Sequence, residues 1–190
     1  LIDIAVIRFL RISNFTDLNV LSCYEGVTVR YVDRPGQFGD PDLVVLPGTK
    51  NTMTDLKWLK ESGLAGKIQQ AASRDVPVIG ICGGYQMLGK RLSDPQGMEA
   101  GDSVPVSMEG LGLLPVETIF TGQKKRTRAE GFVAVSDGFW GGLGGCRLEG
   151  YEIHMGETSS SGGDLFTGIR TIQEESERME GCVNGCVCGT

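Results

Sequence analysis

The sequence predicts an α/β domain built on a central, mostly parallel sheet with helices on both faces. Three observations carry that expectation. Short runs of β-branched residues alternate with helix-like segments through the first half, and one run ends in a cysteine set between glycines just before another helical stretch. The runs are short, and the one over residues 43–46 is continuously apolar, as strands buried on both faces are. Alternation of this kind is the signature of βαβ units, because a parallel strand needs a crossover before it can return to its sheet.

Ile4-Ala5-Val6-Ile7-Arg8-Phe9 and Val27-Thr28-Val29-Arg30-Tyr31-Val32 read as the first two strands. Asp42-Leu43-Val44-Val45-Leu46 is a third, ending at Pro47-Gly48. The polar Thr49-Lys50-Asn51-Thr52 then leads into a helix over residues 55–60, which sets Leu56, Trp58 and Leu59 toward one side and stops at Gly63. A second helix is expected over residues 64–74. Val76-Pro77-Val78-Ile79-Gly80-Ile81 is the next strand, followed by Cys82-Gly83-Gly84 and a helix reaching Leu92. In the second half helix signals fade. Residues 111–120, 132–135 and 150–155 read as strands between glycine-rich turns, consistent with 29 glycines in the chain. Trp140-Gly141-Gly142-Leu143-Gly144-Gly145 is a loop, since no strand feeds it and no dinucleotide fingerprint spacing is present. Residues 1–190 read as one domain.

Composition narrows the function classes. Hydrophobic residues make up 40% and charged residues 22% of the 190, values typical of a folded globular domain. No apolar run approaches the roughly 20 residues that span a bilayer, and the first residues lack the basic region of a signal peptide; a cytoplasmic protein with no membrane partner is expected. A net charge of -6 has the wrong sign for neutralising phosphates, which argues against a nucleic-acid partner. The cluster Lys124-Lys125-Arg126 with Arg128, close to Gly122 and Gln123, reads as a solvated turn. Cys182, Cys186 and Cys188 lack ordinary zinc spacing and supply three ligands where structural zinc takes four, so no metal is expected and packing on a strand is.

Gly80-Ile81-Cys82-Gly83-Gly84 has the spacing of a nucleophile elbow with cysteine in the serine position. Glycines on both sides suit a turn that forces strained dihedrals and close packing on its neighbours. A cysteine at a helix N-terminus meets exposed N–H groups and the positive end of the dipole, which favour thiolate over a thiol whose free pKa is about 8.5. The N–H of Gly83 can form half of an oxyanion hole, and the Pro47-Gly48 loop can supply another donor. An elbow by itself fits hydrolases, transferases and redox sensors alike.

The run from Gly80 through Gly89 (Gly80-Ile81-Cys82-Gly83-Gly84-Tyr85-Gln86-Met87-Leu88-Gly89) resembles the elbow of triad-type, class I glutamine amidotransferases. Arg11-Ile12-Ser13-Asn14-Phe15-Thr16-Asp17, Leu46-Pro47-Gly48-Thr49-Lys50-Asn51-Thr52, the run from Glu109 to Thr118, and Gly150-Tyr151-Glu152-Ile153-His154-Met155-Gly156 are similar to segments of the cobyric acid synthase family, in the same order. The resemblance implies a flavodoxin-like fold that binds glutamine, forms a γ-glutamyl thioester on Cys82 and releases ammonia. It implies Gly48 and Gly83 as oxyanion donors and Gln86 beside the bound glutamine. No cofactor is implied in this domain. The ammonia would pass to a synthetase domain that uses ATP and magnesium to amidate carboxylates of adenosylcobyrinic acid a,c-diamide. The glutaminase domains of cobyrinic acid a,c-diamide synthase and of cell-wall precursor amidating enzymes are alternatives, as is a non-catalytic module of the same fold.

Two departures from the family stand out. A catalytic thiol works with a histidine, and this chain has one, His154, inside a strand-like segment. The family places its catalytic histidine in a later G-T-Y-L-H-G segment, where this sequence stops at Gly189-Thr190, so truncation short of the base is expected and His154 is read as a near-site residue rather than the base. No phosphate-loop motif occurs, so ATP is expected on a synthetase domain absent from this chain.

Overall fold

The computed structural model describes residues 1–13, 15–99, 104–171 and 177–190, and within these the side chains of residues 15 and 123–125 are not described. Asn14 of the Arg11 motif lies outside the described residues. In chain order the elements are β1 (Ile2–Ile7), a 3-10 segment (Phe15–Cys23), β2 (Val27–Val32), β3 (Leu43–Leu46), α1 (Thr52–Glu61), α2 (Leu64–Ser73), β4 (Val78–Gly80), α3 (Gly83–Leu88), β5 (Arg91–Asp94), β6 (Val106–Glu109), β7 (Val116–Val133), β8 (Arg147–Ser160), β9 (Thr167–Thr171), β10 (Arg178–Glu180), β11 (Cys182–Asn184) and β12 (Val187–Gly189).

The first sheet has the order β2-β1-β3-β4-β12-β11. Every neighbouring pair is parallel except β11 with β12. The expected mostly parallel α/β sheet is therefore present, in the doubly wound order whose ligand crevice opens at the carboxyl ends of the strands. Strand alternation divides the core. Ala5, Ile7, Val44, Leu46 and Val78 face Leu56, Leu59, Leu64 and Ile68 of α1 and α2 and Met87 and Leu88 of α3. Ile4, Val6 and Val45 face the opposite way, against Leu18 and Leu21 of the 3-10 segment. The three α-helices thus share one core, and the second face is covered by 3-10 turns and by side chains of the second half, among them Val133, Trp140 and Phe166.

The second half forms its own sheet, β10-β9-β7-β5-β6, with β8 along the other edge of β7. Several expectations shift here. The helix after Cys82 ends at Leu88, and Leu92 belongs to β5, because Gly89 takes an extended conformation (φ -67°, ψ 179°) and its N–H closes on Gln86 O. The basic cluster expected as a turn lies inside the 18-residue β7, where Arg126 pairs with Ile153 and Arg128 with Tyr151. Pairing with β8 gives that polar stretch its backbone partners, which no apolar pattern announces. Residues 111–115 form turns, and β7 starts at Val116.

Candidate active site

The register of β3 with β4 sets Leu46 opposite Gly80, so the chain two residues beyond each strand brings Gly48 beside Cys82. A Cβ built on Gly48 would stand 3.7 Å from the Cys82 Cβ. Cys82 itself occupies the turn between β4 and α3 with φ 52° and ψ -114°. That backbone region costs an L-residue about 1–3 kcal/mol, and such strain concentrates at functional sites. Gly84 explains how the turn closes: a Cβ there would lie 2.0 Å from Leu46 O, so only glycine lets α3 descend onto β3. Gly83 is the first residue of α3, and its N–H is among those without an intrahelical acceptor.

A short antiparallel bridge stabilises the Gly48 loop. Ser13 N–H donates to Gly48 O at 3.0 Å and Lys50 N–H to Arg11 O at 3.0 Å, with Ile12 opposite Thr49. The Arg11 and Leu46 motifs, 35 positions apart in the sequence, therefore form one structure at the carboxyl edge of the sheet. Beneath it sits Asp55, fully buried, whose Oδ2 accepts from the Thr49 hydroxyl (2.5 Å) and from Arg11 N–H (3.3 Å). Burial holds its carboxyl above the usual carboxylate range despite these two hydrogen bonds.

Gln86, buried one turn along α3, spans the site floor. Its Oε1 accepts from the Thr52 hydroxyl at 3.4 Å, and its Nε2 donates to Met155 O at 3.1 Å. The N-terminus of α1 is closed by Asn51, whose Oδ1 accepts from Thr54 N–H at 2.9 Å, and by the Glu99 carboxylate on Thr52 N–H. Burial also raises the Glu99 carboxyl, and Asp94 and Asp55 add to that rise. Glu99 follows a polar run with no periodicity, so only the tertiary structure reveals its place.

The facing wall is β8. The Cys82 thiol donates to Ile153 O at 3.3 Å, and Ile153 O and Met155 O point the same way, as carbonyls two residues apart on a strand do. β8 thus offers a polar backbone edge to the nucleophile while pairing with β7 on its other side. These carbonyls are invisible to motif reading, since backbone carries no residue signature. His154 lies between them in sequence, but its ring is engaged within β8: Nε2 contacts Glu152 Oε1 at 2.7 Å and Nδ1 contacts Gly156 O at 3.1 Å. Glu152 is also held by Arg178 at 2.6 Å.

The structure therefore gathers Gly48, Cys82, Gly83 and Gln86 at one strand end and leaves the His154 ring in a network of its own. Cys182, Cys186 and Cys188 are buried on β11, the following turn and β12. Burial raises all three thiols, that of Cys188 to about 12.

The sequence matches the CobB/CobQ-like glutamine amidotransferase domain over residues 3–190. It is 48% identical to a cobyric acid synthase of Ruminiclostridium cellulolyticum over 193 residues, covering 100% of this chain and 37% of the relative. A cobyric acid synthase of Yersinia enterocolitica is 47% identical over 189 residues, 97% of this chain and 36% of the relative. The chain spans little more than a third of these relatives. Among solved structures, PurLQS of Thermotoga maritima superposes with a TM-score of 0.66 at 19% identity, covering 99% of this chain and 85% of that one. A glutamine amidotransferase of Thermotoga maritima gives 0.63 at 16%, covering 99% and 74%; at such identities the likeness is one of fold. The match along the sequence, the strand order and the elbow at the sheet's carboxyl edge agree, and the chain belongs to the CobB/CobQ-like glutamine amidotransferase domain family.

Proposed function

We propose that this chain hydrolyses glutamine through Cys82 and supplies the ammonia used by a cobyric acid synthase. The observation that carries the reading is the placement of Cys82: a strained, glycine-flanked turn with Gly48 alongside and the β8 edge opposite. The Cys82 thiolate attacks the side-chain carbonyl carbon of glutamine. Negative charge develops on the amide oxygen, where the N–H groups of Gly48 and Gly83 are the proposed donors. The C–N bond then breaks, the nitrogen takes a proton and leaves as ammonia, and the γ-glutamyl group remains on sulfur as a thioester. Water hydrolyses the thioester to glutamate and restores the thiol, so glutamine and water give glutamate and ammonia. Gln86, fixed at both ends, shapes the floor on which the substrate rests. His154 receives no acid–base role, because its ring nitrogens are engaged by Gly156 O and the Glu152 carboxylate.

The names of its relatives support the wider assignment. The ammonia is proposed to serve a synthetase domain that uses ATP and magnesium to amidate adenosylcobyrinic acid a,c-diamide in the cytoplasm. The direct test is mass spectrometry after exposure to a diazoketone analogue of glutamine. A single adduct on Cys82, absent in Cys82→Ser and retained in His154→Ala, is the expected result. Labelling elsewhere, or its loss in His154→Ala with the fold intact, overturns the reading.

A further inference from the structure

We propose that Asp55 is a positioning residue for this reaction, gripping both halves of the bridge that presents Gly48 to Cys82. The inference rests on the glutaminase reading and adds a residue with no place in the elbow motif. Gly48 is carried by the bridge between residues 11–13 and 48–50, joined by Ser13 N–H to Gly48 O and Lys50 N–H to Arg11 O. Asp55 Oδ2 takes the Arg11 N–H from one segment and the Thr49 hydroxyl from the other. The Thr49 oxygen in turn accepts Asn51 N–H at 3.2 Å, which ties the grip to the start of α1. The same loop meets the second proposed donor, since a Cβ on Gly83 would lie 2.8 Å from Thr49 Cγ2. One carboxylate therefore sets the height of the loop relative to both N–H groups.

An ordinary structural carboxylate would be placed differently. Asp55 lies in the first turn of α1, where exposure to solvent would suit the helix dipole, yet it is 0% exposed and its Oδ1 has no hydrogen-bond partner among the described residues. A buried, half-satisfied carboxylate opposes folding, so its benefit must lie elsewhere. Burial raises the carboxyl, and a raised carboxyl contributes stability that is present below its unfolded pKa and lost as pH rises through the folded value. The ionised form is therefore the one that burial disfavours in the fold.

Stability and rate should consequently separate. The substrate of choice is the γ-p-nitrophenyl ester of glutamic acid, whose p-nitrophenolate leaves without protonation, assayed with wild type, Cys82→Ser, Asp55→Asn and Asp55→Ala. Asp55→Ala is expected to lower kcat about 100-fold and Asp55→Asn, which can still accept both bonds, about 10-fold, the size expected for a misplaced donor. KM should stay within about threefold, alkylation of Cys82 by iodoacetamide should be unchanged, and the Tm of Asp55→Asn at neutral pH should equal or exceed that of wild type. A folded Asp55→Ala protein with wild-type kcat overturns the inference, and so does a fall in kcat that only tracks lost Tm and lost alkylation. A wild type no faster than Cys82→Ser would instead overturn the glutaminase reading itself.

Discussion

The first and second halves of the chain build the site in opposite ways. The β1–β4 half positions Cys82 and Gly48 by strand register and glycine packing, with β1 and β3 contributing buried residues to both faces of the sheet. The second half lends backbone carbonyls from β8, a strand whose outer face carries the exposed Tyr151 and Ile153. One half fixes atoms by steric necessity; the other supplies a wall by hydrogen-bonded pairing. The nucleophile side should therefore tolerate almost no change in backbone spacing, whereas the wall side should tolerate substitution on its outer face.

The largest expected effect sharpens that contrast at adjacent glycines. Gly84→Ala forces a Cβ into Leu46 O, backbone against backbone, and should cost more than about 4 kcal/mol or prevent folding. Gly83→Ala meets mainly the side chains of Thr49 and Thr52 at 2.8 and 3.0 Å, which can shift; it should keep the fold while slowing glutamine hydrolysis by about tenfold or more. Urea unfolding beside a glutaminase assay reads both. Equal losses of stability would dissolve the distinction between a packing glycine and a site glycine.

A smaller effect should come from the thiols at the join between the halves. Cys188 on β12 is buried with its pKa pushed up to about 12, so the folded state keeps a proton that the unfolded chain gives up near 9. This contribution is present below about pH 9 and is lost as pH rises toward 12. Replacement of Cys188 by alanine should flatten the fall in Tm across alkaline pH relative to wild type, at some cost in packing. An alkaline slope in Cys188→Ala equal to that of wild type would contradict the assigned burial effect.

The smallest effect is expected on the outer face of the β7–β8 pair. Arg128 and Glu149 form an exposed ion pair there, screened by water. Arg128→Ala should leave both Tm and Cys82 labelling within measurement error. A clear loss of either would give that face a role in the domain that its exposure argues against.

Sequence alone determined the parallel half and the position of the elbow. Continuous apolar runs at residues 43–46 and 76–81 have few other uses than strands covered on both faces, and glycines around Cys82 announce a sharp turn whose neighbours pack too closely for side chains. Resemblance implied Gly48 and Gly83 as oxyanion donors and Gln86 beside the bound glutamine. The tertiary structure alone decided the rest. Pairing of β7 with β8 turned a basic, polar stretch into strand, because ladder hydrogen bonds do not depend on side-chain character. Contacts from Arg11 N–H and Thr49 revealed Asp55 as buried and bonded outside its helix, although in the sequence it reads as an ordinary first-turn acid. The carbonyls of Ile153 and Met155 belong to the same class: backbone groups common to every residue become specific only when the fold points them at a thiol and an amide. Side-chain patterns record what must be buried and where the chain must turn, while the direction of a hydrogen bond between segments some seventy residues apart exists only after both halves have folded together.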